Sequence, residues 1–465
     1  MMVVRIVLIV LGLVVLGGAA FAAFAWRSEI EPISGETAEF GADLLERGAQ
    51  LAAVGNCIAC HTVPGEKAFA GGLPLPTPFG TIYSTNITPD PETGIGRWSE
   101  EAFRRAMREG VDREGRHLYP AFPYDHFTRV TDEDNRALYA YLMTREPVRA
   151  EPRQNDLVFP LGFRPLLAGW KFLFLDKGPH QPVAEQSAEW NRGAYLAEGL
   201  GHCGACHTPR NALGAADSSR HFGGGEAEGW IAYAINESSP APIPWNEDSL
   251  AFYLRNGWHE LHGVSRGPMA EVTGNLGGLP DSDIEAIAIY VASIMGEPSD
   301  QRRAEADRLL EEVRSDAAKS GDVVQAVDSV VQPQGSDIHG EGAAIYAAAC
   351  ATCHESDRPL PFGGLDFRLS TAVNAASPQN IVNVTLFGLP PADGEASSVM
   401  PGFAGALDDR QVGELLAYMR ARFSGREAWD GVEEMVRATR SGDYPVTIRP
   451  SDGIERAPTN VGAEY

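Results

Sequence analysis

The pentapeptides CIACH (Cys57–His61), CGACH (Cys203–His207) and CATCH (Cys350–His354) use all 6 cysteines of a 465-residue chain. Each is C-x-x-C-H, the spacing of c-type haem attachment. The chemistry requires that spacing. Cys57 and Cys60, Cys203 and Cys206, and Cys350 and Cys353 supply paired thiols for the two vinyl groups on one edge of a porphyrin. The next residue (His61, His207 or His354) then lies under the iron and supplies its proximal nitrogen. Disulfides are the default for cysteines in an exported chain. Thioredoxin-like and zinc sites also use C-x-x-C. Neither reading predicts a histidine directly after every pair. The pattern predicts three covalently bound haem c groups, one per motif.

The motifs are almost evenly spaced, which marks an internal repeat at domain scale. RGAQLAAVGNCIACHTVP from Arg47 parallels RGAYLAEGLGHCGACHTPR from Arg192, and GEGAAIYAAACATCHESDRP is more divergent. Each copy opens with a helical pattern in which apolar residues such as Leu51 or Leu196 fall at helix spacing. Each closes with another: TDEDNRALYAYLMTREP, DSDIEAIAIYVASIMGEP and LDDRQVGELLAYMRARF. Their acidic or threonine starts suit N-capping, and Asp408 with Gln411 fits a capping box. Tyr141, Tyr290 and Tyr418 are expected to pack the closing helix on the opening one.

The expectation is an all-α chain with three small haem domains in tandem, at 40–150, 185–297 and 337–425. The haem itself supplies much of each core. Residues 298–336 read as a charged, then polar linker with one exposed helix, and 426–465 as an irregular tail. HFGGG (His221–Gly225) reads as a loop passing a haem. GLGHCG (Gly199–Gly204) matches G-x-G-x-x-G, but a dinucleotide site needs a preceding strand, and this match lies inside a haem box.

Residues 1–28 carry no charge from Ile6 to Trp26, and a helix of about 20 residues crosses a bilayer. The segment reads as a membrane anchor. A cleaved signal peptide is the alternative, with small-residue sites at Ala20–Ala22 and Ala23–Ala25. Either one exports the remainder. The net charge of -25 argues against nucleic-acid binding, which needs a basic face. It suits a soluble body facing a partner with a basic patch.

A haem iron held by one histidine has a sixth position, and methionine there raises the reduction potential. Met269 (SRGPMAEVTG) and Met400 (EASSVMPGFAG) lie beside prolines on predicted loops before the closing helices, where core-filling is a poor use of methionine. Both are expected as axial ligands. Met143, Met295 and Met419 sit on closing helices and are expected in cores. In the first copy the matching loop is HLYPAFPYDHF, and Phe122 stands where methionine is expected. Phe122 cannot ligate iron. Met107, four residues after Phe103 on the preceding helix, is the leading candidate. His126 is the alternative, followed by His117 or an open iron.

Taken together, YSTNITPDPETGIGRWSEEAF, HLYPAFPYDHF, GHCGACHTPRNALG and MPGFA resemble the triple-haem cytochrome c subunits of membrane-bound bacterial dehydrogenases. The likeness runs from about Gly48 to Phe423. It implies three tandem class I cytochrome c-like domains behind an N-terminal transmembrane helix, on the periplasmic side of the inner membrane. It implies electron transfer rather than substrate chemistry, from a dehydrogenase catalytic subunit to ubiquinone or a terminal oxidase. His61, His207, His354, Met269 and Met400 match the family's ligand positions. Phe122 departs from the alcohol-dehydrogenase-type members, which have methionine there. That departure resembles the branch serving molybdopterin hydroxylases of aldehydes or N-heterocycles. Alternatives are the cytochrome subunit of an alcohol or gluconate dehydrogenase, or a multihaem peroxidase-like enzyme with its first iron open.

Overall fold

The computed structural model describes residues 2–34, 39–319, 340–356, 358, 360–390 and 399–442. These divide into two compact units: the chain up to Pro182 with Glu198–His202, and Val183–Ala197 with Cys203 onward.

The first unit begins with α1 (Met2–Ala25), long and apolar enough to cross a membrane. Then follow α2 (Ala42–Val54), α3 (Cys57–His61), α4 (Glu100–Glu109), α5 (Tyr124–Phe127), α6 (Asp132–Met143) and α7 (Leu166–Phe174). A small antiparallel sheet in the order β1-β2-β3 joins Pro74–Thr77, Gly80–Tyr83 and Asp156–Leu157, with Leu75 opposite Ile82 and Thr81 opposite Asp156. α4 starts at Ser99, whose side chain accepts from the Ala102 N–H, and stops at Gly110 in the left-handed region. α6 starts at Thr131 in the same way.

The second unit holds α8 (Ala188–Tyr195), α9 (Gly204–His207), α10 (Glu247–Asn256), α11 (Pro268–Leu276), α12 (Asp281–Met295) and α13 (Asp300–Lys319). It continues with α14 (Gly340–Ala349), α15 (Ala351–His354), α16 (Gln379–Phe387), α17 (Asp409–Ser424) and α18 (Val432–Ser441). Two short hairpins, β4 (Gly225–Ala227) with β5 (Trp230–Ala232) and β6 (Trp258–His259) with β7 (Gly263–Val264), complete it.

Each C-x-x-C-H motif follows the first helix of a crossed pair: α2 with α6, α8 with α12, α14 with α17. The crossing is closed by a glycine on the opening helix. A Cβ added at Gly48 would run into the Ala137 carbonyl and lie 2.6 Å from the Tyr141 Cβ. At Gly193 it would meet the Ala286 carbonyl and lie 2.8 Å from the Tyr290 Cβ. At Gly342 it would meet the Glu414 carbonyl and lie 3.0 Å from the Tyr418 Cβ. So the tyrosines do pack the two helices together, and only glycine allows so close an approach. An ion pair flanks each crossing: Arg47 to Asp134 at 3.1 Å and Arg192 to Asp283 at 2.8 Å. In the third pair the signs are exchanged, with Glu341 facing Arg410 at 2.5 Å. The second opening helix has one residue more between its glycine and its first cysteine than the first has, and the π-helical turn Leu196–Leu200 absorbs it.

Four expectations are corrected. α12 has Pro280 at its N-cap and no side-chain cap, unlike α17, where Asp408 and Gln411 do form the capping box. The linker helix α13 is not simply exposed: Ala306, Leu309, Leu310 and Val313 pack with Ile243 and Leu369. The third core does not end near 425, because α18 adds Val432 and Val436 to it, and Arg440 donates to the Ala404 and Leu407 carbonyls. Beyond residue 150 the first unit continues into α7, whose Lys171 ammonium donates to the Glu109 and Gly110 carbonyls at 2.8 and 2.7 Å. The linker beyond 319 and the tail beyond 442 lie outside the described residues.

Candidate haem-attachment sites

In each repeat a single helical turn carries the two cysteines and the histidine. Thiols three residues apart then share a face. α3 is entered through Asn56 in the left-handed conformation (φ 49°), which turns the chain sharply out of α2. The paired spacing does not close disulfides. Burial pushes the Cys57 thiol up to about 12, with the neighbouring Cys60 adding to the shift, and the Cys350 thiol up to about 11, with Cys353 adding. Cys206 is raised by burial as well. Burial disfavours a charged sulfur at these three positions. A thioether carries no such cost. No cluster of three metal-ligating side chains occurs among the described residues.

The histidines repeat one arrangement. His61 Nδ1 donates to the Thr85 carbonyl at 2.6 Å, His207 Nδ1 to the Tyr233 carbonyl at 2.7 Å, and His354 Nδ1 to the Leu365 carbonyl at 2.9 Å. A carbonyl can only accept, so Nδ1 carries the proton and Nε2 keeps its lone pair. Burial lowers all three below the ordinary histidine value, against the opposing effect of the backbone bond. A neutral imidazole with its tautomer fixed is the form that ligates iron. Paired thiols, a fixed Nε2 and a backbone anchor thus fit haem c at each motif.

The loops after the first two motifs are built alike. Thr62 and Thr208 hydroxyls accept from the Phe69 and Phe222 N–H groups, each at 3.0 Å. Both phenylalanines are buried in the left-handed conformation, φ 60° and 55°. Gly71 and Gly224 then donate to the His61 and His207 carbonyls at 2.7 and 2.8 Å. HFGGG is therefore the second copy of FAGG, wrapped around the motif histidine.

The remaining predicted residues are placed as follows. Met107 is buried on α4, one turn from buried Phe103. Met269 is not on a loop: it lies in the first turn of α11 behind Pro268, and its carbonyl accepts from the Thr273 hydroxyl at 3.1 Å. Proline at the first helical position explains the misreading, since it starts helices as readily as it marks loops. Met400 is held by paired backbone bonds with Leu389, 2.9 and 2.8 Å. Phe122 packs on Phe127, ring centroids 5.2 Å apart. His126 is buried, and its Nδ1 donates to the Glu198 carbonyl at 3.0 Å. His117 Nε2 donates to the Ala25 carbonyl at 2.8 Å, so this nitrogen secures the end of α1. Met143 and Met419 are in cores as expected, and Met295 is half-buried. Sequence reasoning missed Thr85, Tyr233 and Leu365, because they act through backbone carbonyls that no side-chain pattern reveals.

The class these sites define is the c-type cytochrome. Residues 45–146 match the family described as cytochrome c, and residues 339–419 match that described as cytochrome C oxidase, cbb3-type, subunit III. A nicotinate dehydrogenase subunit of Pseudomonas putida is 45% identical over 91% of this chain, which spans only 34% of that longer protein. The gluconate 2-dehydrogenase cytochrome c subunit of Pantoea cypripedii is 37% identical over 81% of this chain and 85% of its own length. The fructose dehydrogenase cytochrome subunit of Gluconobacter japonicus is 34% identical over 87% of this chain and 84% of its own length. The chain belongs to the family of dehydrogenase cytochrome c subunits.

Proposed function

We propose that this chain carries electrons, through three haem c groups, from a periplasmic dehydrogenase catalytic subunit to ubiquinone or a terminal oxidase. The observation that carries the reading is the threefold recurrence of paired thiols beside a half-buried histidine whose Nδ1 is bound to a backbone carbonyl. Haem c, when bound, supplies a one-electron iron couple. The chain's own part is to fix the proximal nitrogens of His61, His207 and His354 and to exclude water from them. Met269 and Met400 are the sixth ligands of the second and third sites in this reading, and Met107 that of the first. A second reading of the first site has its own support: the Nδ1 bond of His126 repeats the arrangement of the proximal histidines. Met107→Ala and His126→Ala separate them. The variant that converts the first haem to a high-spin spectrum, leaving the other two low-spin, identifies the ligand.

For the catalytic partner, the 45% identity to the nicotinate dehydrogenase relative and the Phe122 substitution favour a molybdopterin enzyme oxidising an N-heterocycle or aldehyde. The 37% identity to a gluconate 2-dehydrogenase cytochrome c subunit supports an alcohol or gluconate dehydrogenase as the second reading. The complex purified from native membranes decides. Haem reduction on adding nicotinate or an aldehyde supports the first partner. Reduction only by gluconate or an alcohol supports the second.

α1 is the proposed anchor, with the haem-bearing body on the periplasmic face of the inner membrane. N-terminal sequencing of the mature chain tests this: a start near Ala23 or Trp26 means cleavage.

A further inference from the structure

α7 and the loop before it have their polarity inside out. On an ordinary surface helix the apolar stripe faces inward and charge faces water. On α7 the inward face carries Ala168 and the charged Lys171, both buried. The outward face carries Leu166, Phe172 and Leu173, all exposed. Phe172 is 77% exposed and Phe159, on the preceding loop, 97%. Val158 and Phe163 are exposed beside them in sequence.

This orientation is built in. Lys171 is tied to the carbonyls that end α4, Tyr119 donates its hydroxyl to the Leu161 carbonyl at 3.0 Å, and Arg164 donates to the His117 carbonyl at 3.1 Å. Those bonds keep the apolar face outward. Large apolar side chains exposed together in one stretch of chain and one helix face mark an interaction surface. Its position selects the partner. Phe172 meets Phe24 of α1 edge-on, ring centroids 6.0 Å apart, and α1 is itself apolar and wholly exposed along its candidate span. Trp26, 70% exposed, follows at the end of α1, where amphipathic rings sit at a headgroup boundary.

We propose that Phe159, Phe163, Phe172 and Leu173 form a second membrane contact, inserted into the leaflet from which α1 emerges, so that the first haem-bearing unit is seated on the bilayer rather than tethered above it. The proposal rests on α1 spanning the membrane, and the test separates the two. The full-length haem-loaded chain is reconstituted in phosphatidylethanolamine–phosphatidylglycerol vesicles, with a nitroxide placed singly at Leu8→Cys, Phe159→Cys, Phe172→Cys or, as an aqueous control, Glu114→Cys. Unchanged haem spectra show that each variant is folded. The expected result is that labels at 159 and 172, like that at 8, collide with oxygen and are shielded from a water-soluble nickel chelate, while 114 is the reverse. Labels at 159 and 172 that behave like 114 while 8 remains in lipid overturn the proposal alone. Shielding from both reagents means a second copy of the chain covers the patch, and also overturns it. A water-exposed label at 8 overturns the anchor itself.

Discussion

The first two repeats and the third attach the same motif to the same helix crossing but wrap it differently. In the first two, a threonine directly after the histidine holds a left-handed phenylalanine, and a glycine closes the loop on the histidine carbonyl. In the third, Glu355 replaces the threonine, Gly364 donates instead to the Cys353 carbonyl at 3.0 Å, and Phe367 stacks on the His354 ring at 4.0 Å. α18 then adds apolar cover that the other two repeats do not use. What all three share is therefore the requirement: the glycine crossing, the paired thiols and the Nδ1 bond. What differs is how water is kept from the histidine, by a hydrogen-bonded loop or by packing.

The crossing is the shared element, so breaking it is expected to have the largest effect. Gly48→Ala, Gly193→Ala and Gly342→Ala each force a methyl onto a carbonyl, at a cost of about 1–3 kcal/mol or more. Thermal melting and haem content should fall for all three. A harmless Gly342→Ala would show that the third repeat closes by other means. Next comes the loop difference. Thr208→Val leaves the buried Phe222 N–H without its acceptor and should cost about 1–3 kcal/mol in denaturant titration. Glu355→Thr should bring no such gain, because no loop exists there to receive it, and should cost up to about 1 kcal/mol through the lost ion pair with Arg422, 2.8 Å away.

A smaller effect is confined to the first repeat. His117 is lowered to about 4 by burial and then by the charge of Lys171. The unfolded chain takes up a proton near 6.5. The neutral, folded form therefore contributes stability above that pH, and the contribution declines as pH falls from 6.5 towards 4. His117→Gln keeps a donor for the Ala25 carbonyl and should remove that share of the acid sensitivity of the melting temperature. Smallest is the ion-pair reversal. Glu341→Arg alone should lower the melting temperature slightly at this exposed site, and adding Arg410→Glu should restore it.

The attachment chemistry is legible in the cysteines because it is local: two thiols and a histidine within five residues need no tertiary knowledge. Helix identity is legible from apolar periodicity, and the roles of Tyr141 and Tyr290 follow from it. Non-local features are not. The glycine of each crossing stands beside its charged neighbour in plain view, as in RGAQL and RGAYL, but its meaning depends on a carbonyl from a helix far along the chain. The exchange of sign at Glu341 and Arg410 hides the third copy of the ion pair. α18 reads as irregular in sequence because its two buried valines, four apart, are few among charged residues. Met269 reads as a loop residue because Gly267 and Pro268 signal a break and a helix start equally well.

The most direct measurement is the haem content of the purified full-length chain by pyridine haemochrome, set against protein mass, with free-thiol titration on the same sample. The account predicts three haems per chain and no titratable thiol, falling to two haems in Cys350→Ala/Cys353→Ala. Two haems in the unaltered chain, with the thiols of Cys350 and Cys353 free, would contradict it.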